Sequence, residues 1–273
     1  MNLDCAKFAE NVYTDYSART CANVLGVRVD AVDMDAALAR VAAHLRSGAK
    51  GYVCAVGVHG VMEAQHDPLV ARAFDEAMLV VPDGTPIVWV GWRQGMRAMQ
   101  AVPGPDLMLR IFADDRFAQC RHFFYGGKPG VAQDLAAAMR RRFPHAAVVG
   151  TYTPPFHEWS KAEEASVIRQ INTAQPDMVW VGISTPRQEL WMSRILPKLD
   201  TRLMFGVGAA FDFHTGRIRN CPPWVKRAGL HWLHRLMQDP KRLWRRNLAN
   251  IPFLWQIAAQ FAGLSRYARA RDQ

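Results

Sequence analysis

Apolar and polar positions follow a regular pattern along roughly the first four fifths of the chain. Short continuous apolar runs predict buried strands at 26–29, 51–58, 78–81, 122–125, 146–150, 178–183 and 202–207. Apolar residues at helical spacing predict helices at 34–46, 59–77, 85–94, 105–114, 131–143, 161–173 and 186–196. This alternation predicts an α/β fold, a Rossmann-like open parallel sheet with helices on both faces.

The pattern changes near Asn220, after which it predicts helices only. We therefore predict a Rossmann-like domain over residues 1–220 and a C-terminal helical basic appendage over 221–273. Pro240 is expected to interrupt the appendage helices. Neither a secretory signal nor a membrane-spanning helix is predicted, because the first residues are polar and no apolar run approaches about 18 residues.

Positive charge is concentrated in the appendage. The chain has a net charge of +10, and residues 221–273, with ten basic and two acidic residues, contribute +8 of it. The same segment contains Trp224, Trp232, Trp244, Trp255, Phe253, Phe261 and Tyr267. Basic segments with interspersed aromatics are typical of proteins that bind an anionic membrane, a nucleic acid or a phosphorylated ligand, and a solvated basic face is the alternative. The apolar residues also suggest homo-oligomers when no membrane is present.

Composition excludes several classes of protein. Half of the residues are apolar and 21% are charged, which excludes a disordered chain. Five scattered cysteines without C-x-x-C or zinc spacing predict neither disulfides nor a metal site, and a reducing cytosol is expected. The turn Gly206-Val207-Gly208 does not complete a dinucleotide fingerprint, so a nicotinamide enzyme is disfavoured.

Ligands of open α/β sheets bind at the carboxyl ends of the strands, where this sequence has distinctive turns. In Pro82-Asp83-Gly84 the carboxylate follows a buried strand and suits a general base for a hydroxyl nucleophile. The alternative is that Asp83 caps the helix expected near Thr85.

Two further strand ends offer backbone groups or a ring. Gly126 and Gly127 open a turn before a helix, where amide groups can bind phosphate, although an ordinary tight turn is the alternative. Gly208 belongs to a similar turn at another strand end. His59 also follows a strand, and a structural histidine is its alternative.

The segment from Ser184 to Glu189 places several polar side chains at the start of a predicted helix. They suit recognition of a sugar or a base, and a capping box is the alternative. Together the turns give a predicted substrate-binding set of His59, Gly84, Gly126, Gly127, Thr185, Gln188, Glu189 and Gly208.

Three arginines of the appendage, Arg235, Arg242 and Arg245, recur at spacings that favour one helical face. Guanidinium groups grip phosphate oxygens in pairs, so this set suits a diphosphate. A face that meets lipid headgroups or water is the alternative.

Several stretches together resemble a known family. They are Val81-Pro82-Asp83-Gly84, Phe124-Tyr125-Gly126-Gly127, Val149-Gly150-Thr151-Tyr152, Pro186-Arg187-Gln188-Glu189, Gly206-Val207-Gly208-Ala209 and the appendage stretch that contains Trp232, Arg235 and Asp239-Pro240-Lys241-Arg242. In this order they resemble the WecG/TagA/CpsF bacterial glycosyltransferases (glycosyltransferase family 26), from about residue 25 to 255.

The resemblance implies an inverting transfer from a UDP-sugar to a polyprenyl-diphosphate-linked sugar, without a cofactor and without an obligatory metal. It implies that Asp83 is the catalytic base, that Gln188 contacts substrate, and that Arg235, Arg242 and Arg245 meet the diphosphate and close the site. It also implies a cytoplasmic protein, peripheral on the inner face of the bacterial membrane, whose appendage docks on that anionic surface. Nucleic acid is then not a partner.

The sequence also departs from the family pattern. Many members have a Thr and an Asn where this chain reads Cys54-Ala55-Val56-Gly57, which puts donor or acceptor specificity in question. The stretch from Gly57 to Val61 looks closer to exopolysaccharide-type members. The rival hypothesis is a catalytically degenerate module that binds an anionic membrane or nucleic acid.

Overall fold

The computed structural model describes residues 20–155, 160–219, 222, 225, 231–265 and 267. For part of the C-terminal helices it describes the backbone alone, at His231, Trp232, Arg235, Arg242, Arg245, Arg246 and Asn247. The predicted domain boundary at 220–221 and the predictions about the first residues lie outside the described part.

Strands and helices alternate through the body of the protein, as the sequence pattern predicts. The strands are β1 (Cys21–Val24), β2 (Val27–Asp30), β3 (Gly51–Val56), β4 (Leu79–Pro82), β5 (Arg121–Gly126), β6 (Ala147–Tyr152), β7 (Met178–Gly182) and β8 (Leu203–Gly206). The body helices are α1 (Met34–Ser47), α2 (Val58–His66), α3 (Pro68–Asp75), α4 (Thr85–Arg93), α5 (Gly104–Ala113), α6 (Val131–Arg142), α7 (Lys161–Ala174), α8 (Arg187–Ile195) and α9 (Ala210–His214). The appendage helices are α10 (His231–Gln238), α11 (Pro240–Ala249) and α12 (Ile251–Phe261).

The main sheet has six strands in the order β4-β3-β8-β7-β5-β6, and every neighbouring pair is parallel. Parallel pairing puts the carboxyl ends of all six strands at one edge of the sheet. The predicted α/β fold with an open parallel sheet is therefore confirmed.

Helices cover both faces of this sheet because side chains alternate along its strands. On β3, Tyr52 and Cys54 point into a core shared with α2, α3, α7 and α8, whereas Val53 points into a second core with α1, α5 and α6. Both cores are closely covered, and Trp180 of β7 has no exposed surface. Burial on both faces explains why the strands read as continuous apolar runs.

The first strand was not predicted from the sequence. The prediction gave one strand at 26–29, whereas β1 and β2 form an antiparallel hairpin with Cys21 opposite Asp30. Its two-residue turn places Leu25 and Gly26 at φ of 50° and 87°. Positive φ at both turn positions is the geometry of a tight hairpin, and a turn without the usual Asn-Gly or Asp-Gly pair gave no clear signal.

The prediction of a single helix over 59–77 is wrong. The segment forms α2 and α3, which are separated at Asp67. Pro68 begins α3, where its missing N–H costs nothing, and Asp67 caps that helix by accepting from Leu69 N at 2.8 Å. Asp33 caps α1 in the same way, since its carboxylate accepts from Ala36 N at 2.8 Å.

The appendage is helical and packs on the body. Its first two helices meet at Pro240, as predicted. Phe253 of α12 is buried in the core of α2 and α8. Gln260 of α12 accepts from Leu25 N at 3.0 Å and donates to Asn23 O at 2.8 Å, so α12 is tied to the β1–β2 turn. No helix within the described ranges is long and apolar enough to span a membrane.

Candidate active site

The predicted site residues of the body lie in turns at the carboxyl edge of the sheet. These turns follow β4, β3, β8, β7 and β5, which are neighbours in that order. The adjacent turns also touch one another. A methyl group on Gly57 would lie 3.0 Å from Asp83 O, and one on Gly60 would lie 3.6 Å from Thr185 Cγ2. The structure therefore brings these strand ends together along one edge.

Asp83 stands immediately after β4 and is partly exposed. Its backbone N–H donates to Val56 O at 2.8 Å, which ties the turn after β4 to the end of β3. The residue that precedes α4 is Gly84, at φ of 108°. Asp83 thus stands one position before the residue at which α4 begins to be capped.

His59 lies in the first turn of α2, directly after β3. Its Nδ1 is 3.5 Å from Glu63 Oε1, one helical turn further on, and the ring is partly buried. The histidine is thus at the predicted strand end, beside a carboxylate of its own helix.

The turn between β7 and α8 carries a compact network of polar side chains. Thr185 Oγ1 donates to Glu189 Oε1 at 2.9 Å, and Gln188 Nε2 donates to the same oxygen at 2.9 Å. Gln188 is 2% exposed and Glu189 has no exposed surface, so neighbouring residues separate the Glu189 carboxyl from solvent. No side chain caps α8, and the predicted alternative of a capping box is not observed.

Gln188 also joins this network to the turn after β8. Its Oε1 accepts from Gly208 N at 3.1 Å. A methyl group on Gly206 would lie 3.1 Å from Gln188 Nε2 and 2.7 Å from Met192 Cε, so any larger residue would have to displace these two side chains. Gly206 therefore allows close packing of the Gln188 side chain, whereas Gly208 has open space around it and a positive φ of 54°.

Gly126 and Gly127 make a close crossing with β7. Gly126 has φ of 134°, and Gly127 N donates to Gly182 O at 3.0 Å. The Gly127 N–H is therefore engaged within the protein, as in the tight-turn alternative. Glycine is needed at 126 because a methyl group there would lie 2.5 Å from Gly182 O.

Replacing Gly126 by alanine is expected to destabilise the protein by about 2–4 kcal/mol, through left-handed strain and the collision with Gly182. Gly130→Ala is the matched control, since Gly130 also has positive φ (85°) but has no atom within 4 Å of a built methyl group. We expect that control to cost about 1–2 kcal/mol. Urea unfolding of both variants measures the difference, and equal losses would contradict the close crossing.

One segment of this edge was not predicted from the sequence. Val102 N donates to Pro82 O at 2.8 Å, and a methyl group on Gly104 would lie 3.1 Å from the Cα of Val207. The start of α5 is thus held between the ends of β4 and β8. The only signal in the sequence was the run Pro103-Gly104-Pro105, which by itself indicates no more than a turn.

Cys54 is a second residue that the sequence left without a role. It lies on β3 without exposed surface, on the sheet face covered by α8. Burial raises the pKa of the Cys54 thiol well above its usual value, and the nearby Glu189 carboxyl adds to the effect. The thiol is therefore uncharged and lies near the buried carboxyl of Glu189.

The predicted arginines are carried by α10 and α11. Arg235 belongs to the first of these helices, and Arg242 and Arg245 belong to the second. Their side chains lie outside the described part of the structure. The backbone of α11 packs against α2, the helix that carries His59 in its first turn just after β3. The appendage thus adjoins an element of the predicted site.

Metal ligation gives no further site. Across residues 20–155, 160–219 and the described parts of the appendage, no three His, Cys, Asp or Glu side chains are grouped as metal ligands. Independence of a metal stays a prediction. Activity with and without a chelator is the measurement that checks it.

The sequence is similar to three named bacterial enzymes. A protein of Bacillus spizizenii is 27% identical over 68% of this chain and 70% of its own length. One of Bacillus subtilis is 26% identical over 62% of this chain and 64% of its own length, and one of Staphylococcus aureus is 25% identical over 67% and 70%. All three are named N-acetylglucosaminyldiphosphoundecaprenol N-acetyl-beta-D-mannosaminyltransferase.

A family model covers nearly the whole chain. It is described as the glycosyl transferase WecG/TagA/CpsF family, and it matches residues 22–267. The match includes the body sheet, every turn at its carboxyl edge and the three appendage helices. This chain belongs to the WecG/TagA/CpsF family of glycosyltransferases.

Proposed function

We propose that this enzyme transfers a sugar from a UDP-sugar to a polyprenyl-diphosphate-linked sugar, with inversion, in bacterial surface polysaccharide synthesis. The observation that carries the proposal is the set of turns at the carboxyl edge of the sheet, in which the turns with Asp83 and Gln188 each contact the segment that follows β3. The relatives' names support a polyprenyl-diphosphate-linked acceptor, since all three specify N-acetylglucosaminyldiphosphoundecaprenol.

In the proposed reaction, Asp83 takes the proton of the acceptor hydroxyl. The freed oxygen forms a bond to the anomeric carbon from the side opposite the leaving group. The bond between that carbon and the UDP oxygen breaks, and the electron pair leaves with UDP. Positive charge must offset the charge that develops on the diphosphate, and Arg235, Arg242 and Arg245 are proposed to supply it.

Donor choice is the finer part of the proposal. The relatives' names favour an N-acetylmannosaminyl donor. The stretch Cys54-Ala55-Val56-Gly57, where many members have a Thr and an Asn, favours a changed contact to one of the sugars. Transfer from each of several UDP-sugars to a short-chain lipid-diphosphate N-acetylglucosamine measures the preference directly.

Membrane docking through the appendage is the second part of the proposal. Its helices expose large apolar side chains, among them Met237 (68%), Leu254 (69%) and Trp255 (77%). The appendage is also the most basic part of the chain. Exposed apolar and aromatic residues beside basic ones suit the headgroup region of an anionic membrane.

The same kind of surface continues onto the body. Along α4 the exposed residues Trp89, Trp92 and Arg93 follow each other at helical spacing, and the opposite side of the helix is buried. Arg93 Cζ lies 5.7 Å from the centre of the Phe261 ring, which connects this stripe to α12. Because α4 begins just after Asp83 and Gly84, a membrane that contacted this stripe would lie near the candidate base.

Replacing Leu254 and Trp255 together by serine is expected to lower partition onto vesicles of phosphatidylglycerol and phosphatidylcholine by about tenfold or more, because each buried apolar side chain contributes about 1.5–3 kcal/mol. Leu69→Ser is the control, since Leu69 is similarly exposed (64%) but lies on α3. Vesicle sedimentation measures both. Unchanged partition of the double variant would remove the docking proposal.

UDP titration by calorimetry, without metal, separates the transferase from the catalytically degenerate module. A transferase of this kind is expected to bind UDP in the micromolar range. A module that binds nucleic acid would instead show no UDP affinity and a steep dependence of nucleic acid binding on salt. That second result would overturn the proposal.

A further inference from the structure

A carboxyl group lies fully buried beneath the candidate active site. Glu189 Oε1 accepts from Thr185 Oγ1 and from Gln188 Nε2, each at 2.9 Å. Its Oε2 is also buried and has no hydrogen-bond partner within the described part of the chain. Burying such a group is costly, so its retention calls for a reason beyond packing.

The Glu189 carboxyl controls how the Gln188 amide is oriented. One end of the amide, Nε2, donates to Glu189, and the other end, Oε1, accepts from Gly208 N at 3.1 Å. If the amide were flipped, Oε1 would face a carboxyl oxygen that already accepts from Thr185, and Nε2 would face an N–H. Two acceptors or two donors cannot bond to each other, so the flipped form would lose both bonds.

The surroundings of Glu189 favour its neutral form. Burial raises the pKa of Glu189 above its usual value, and hydrogen bonding from Gln188, from the Glu189 backbone N–H and from Thr185 only partly opposes that effect. In a neutral carboxyl, Oε1 remains the acceptor of both bonds and Oε2 carries the proton. The uncharged Cys54 thiol on β3 suits this state, because an ionised Glu189 and a thiolate would repel each other.

We propose that Glu189 is a positioning residue, which fixes the Gln188 amide and through it the Gly208 turn, and does not touch the substrate itself. This inference rests on the proposed function, in which Gln188 contacts the substrate. A group that holds a substrate contact in place affects the rate without binding anything, because small displacements of such contacts are costly to transfer.

The test is a double-mutant cycle between Glu189 and Gln188. Glu189→Met removes the acceptor and keeps the approximate size, and we expect it to lower the transfer rate by about tenfold to a hundredfold. Glu189→Gln keeps a carbonyl oxygen for both donors and is expected to stay within about threefold of the wild type. In a Gln188→Ala background, Glu189→Met should lower the rate by less than about twofold, since nothing remains to be positioned.

Ser193→Ala is the matched control on the same helix. Ser193 donates to Glu76 at 3.0 Å and makes no hydrogen bond to Thr185, Gln188 or Glu189 within the described residues, so its loss should leave transfer unchanged. Thermal unfolding of every variant accompanies the rates. Because Glu189→Gln preserves both bonds, it tests the proposal even if Glu189→Met fails to fold.

Two results would overturn the proposal. Independent, multiplying losses from Glu189→Met and Gln188→Ala would mean that Glu189 acts without Gln188, as in direct substrate contact. A Glu189→Gln loss as large as that of Glu189→Met would mean that the carboxyl, and not its acceptor oxygen, is needed. If the wild type transfers no sugar, the proposed function fails, and the same cycle measured on UDP affinity still decides whether Glu189 acts through Gln188.

Discussion

Asp83→Asn is expected to lower sugar transfer by about a thousandfold or more while leaving UDP affinity within about twofold, because a general base contributes about a hundredfold to ten-thousandfold to such a step. Asparagine keeps the size of the side chain but cannot take the proton of the acceptor hydroxyl. The residue is partly exposed, and asparagine keeps a side-chain oxygen that can still accept a hydrogen bond. Initial rates with a short-chain acceptor and calorimetry with UDP measure the two quantities.

The matched control for this prediction is Asp35→Asn. Asp35 is an exposed carboxylate in the first turn of α1, paired with Arg110 at 2.9 Å. Its neutralisation should leave transfer unchanged, since exposed ion pairs contribute little. Full activity of Asp83→Asn would remove the assignment of Asp83 as base. Loss of UDP binding together with activity would instead assign Asp83 to donor binding.

Arg242→Ala is expected to weaken UDP binding by about tenfold to a hundredfold, the equivalent of about 1.5–3 kcal/mol for hydrogen bonds to a charged group. Arg245→Ala should act in the same direction. Both residues lie on α11, whose backbone packs against α2 at the site edge. The loss should appear with soluble UDP and without a membrane, because the proposed contact is with the diphosphate.

Lys241→Ala separates this contact from general attraction by positive charge. Lys241 is exposed, lies next to Arg242 on the same helix, and is not part of the proposed set. If losing any one positive charge weakened UDP binding equally, the three variants would match and the specific role of the arginines would be wrong. Unchanged UDP binding in Arg242→Ala and Arg245→Ala, with reduced vesicle binding, would assign them to lipid headgroups.

Much of the fold followed from local chemistry. Strands buried on both faces appear as continuous apolar runs, and residues such as Asp33 and Pro240 mark helix boundaries by capping or by the missing N–H. The wrong predictions fall where the local residues gave a weak signal. The hairpin turn at Leu25 lacks the usual residues, and the apolar spacing over 59–77 continued across the break at Asp67.

The sequence predicted which turns lie at the candidate site, but not which contacts join them. Parallel pairing sends every strand end to one edge, so the turns with Asp83, Gly126 and Gln188 could be expected to lie there. The approach of α5 to the ends of β4 and β8 joins residues far apart in the chain. No local pattern encodes such a contact, because it depends on how elements pack.

The sequence by itself determined the alternation of strands and helices, the basic appendage and the family motifs, because periodicity, charge and short motifs are properties of neighbouring residues. Only the tertiary structure decided that Glu189 is fully buried, that it bonds to Gln188 and Thr185, and that Gln188 reaches the Gly208 turn. Burial and hydrogen-bond partners depend on what lies across the sheet. In the sequence, a glutamate next to a glutamine is ordinary. Packing between α8, β3 and β8 buries this glutamate and brings its carboxyl oxygen to the Gln188 amide.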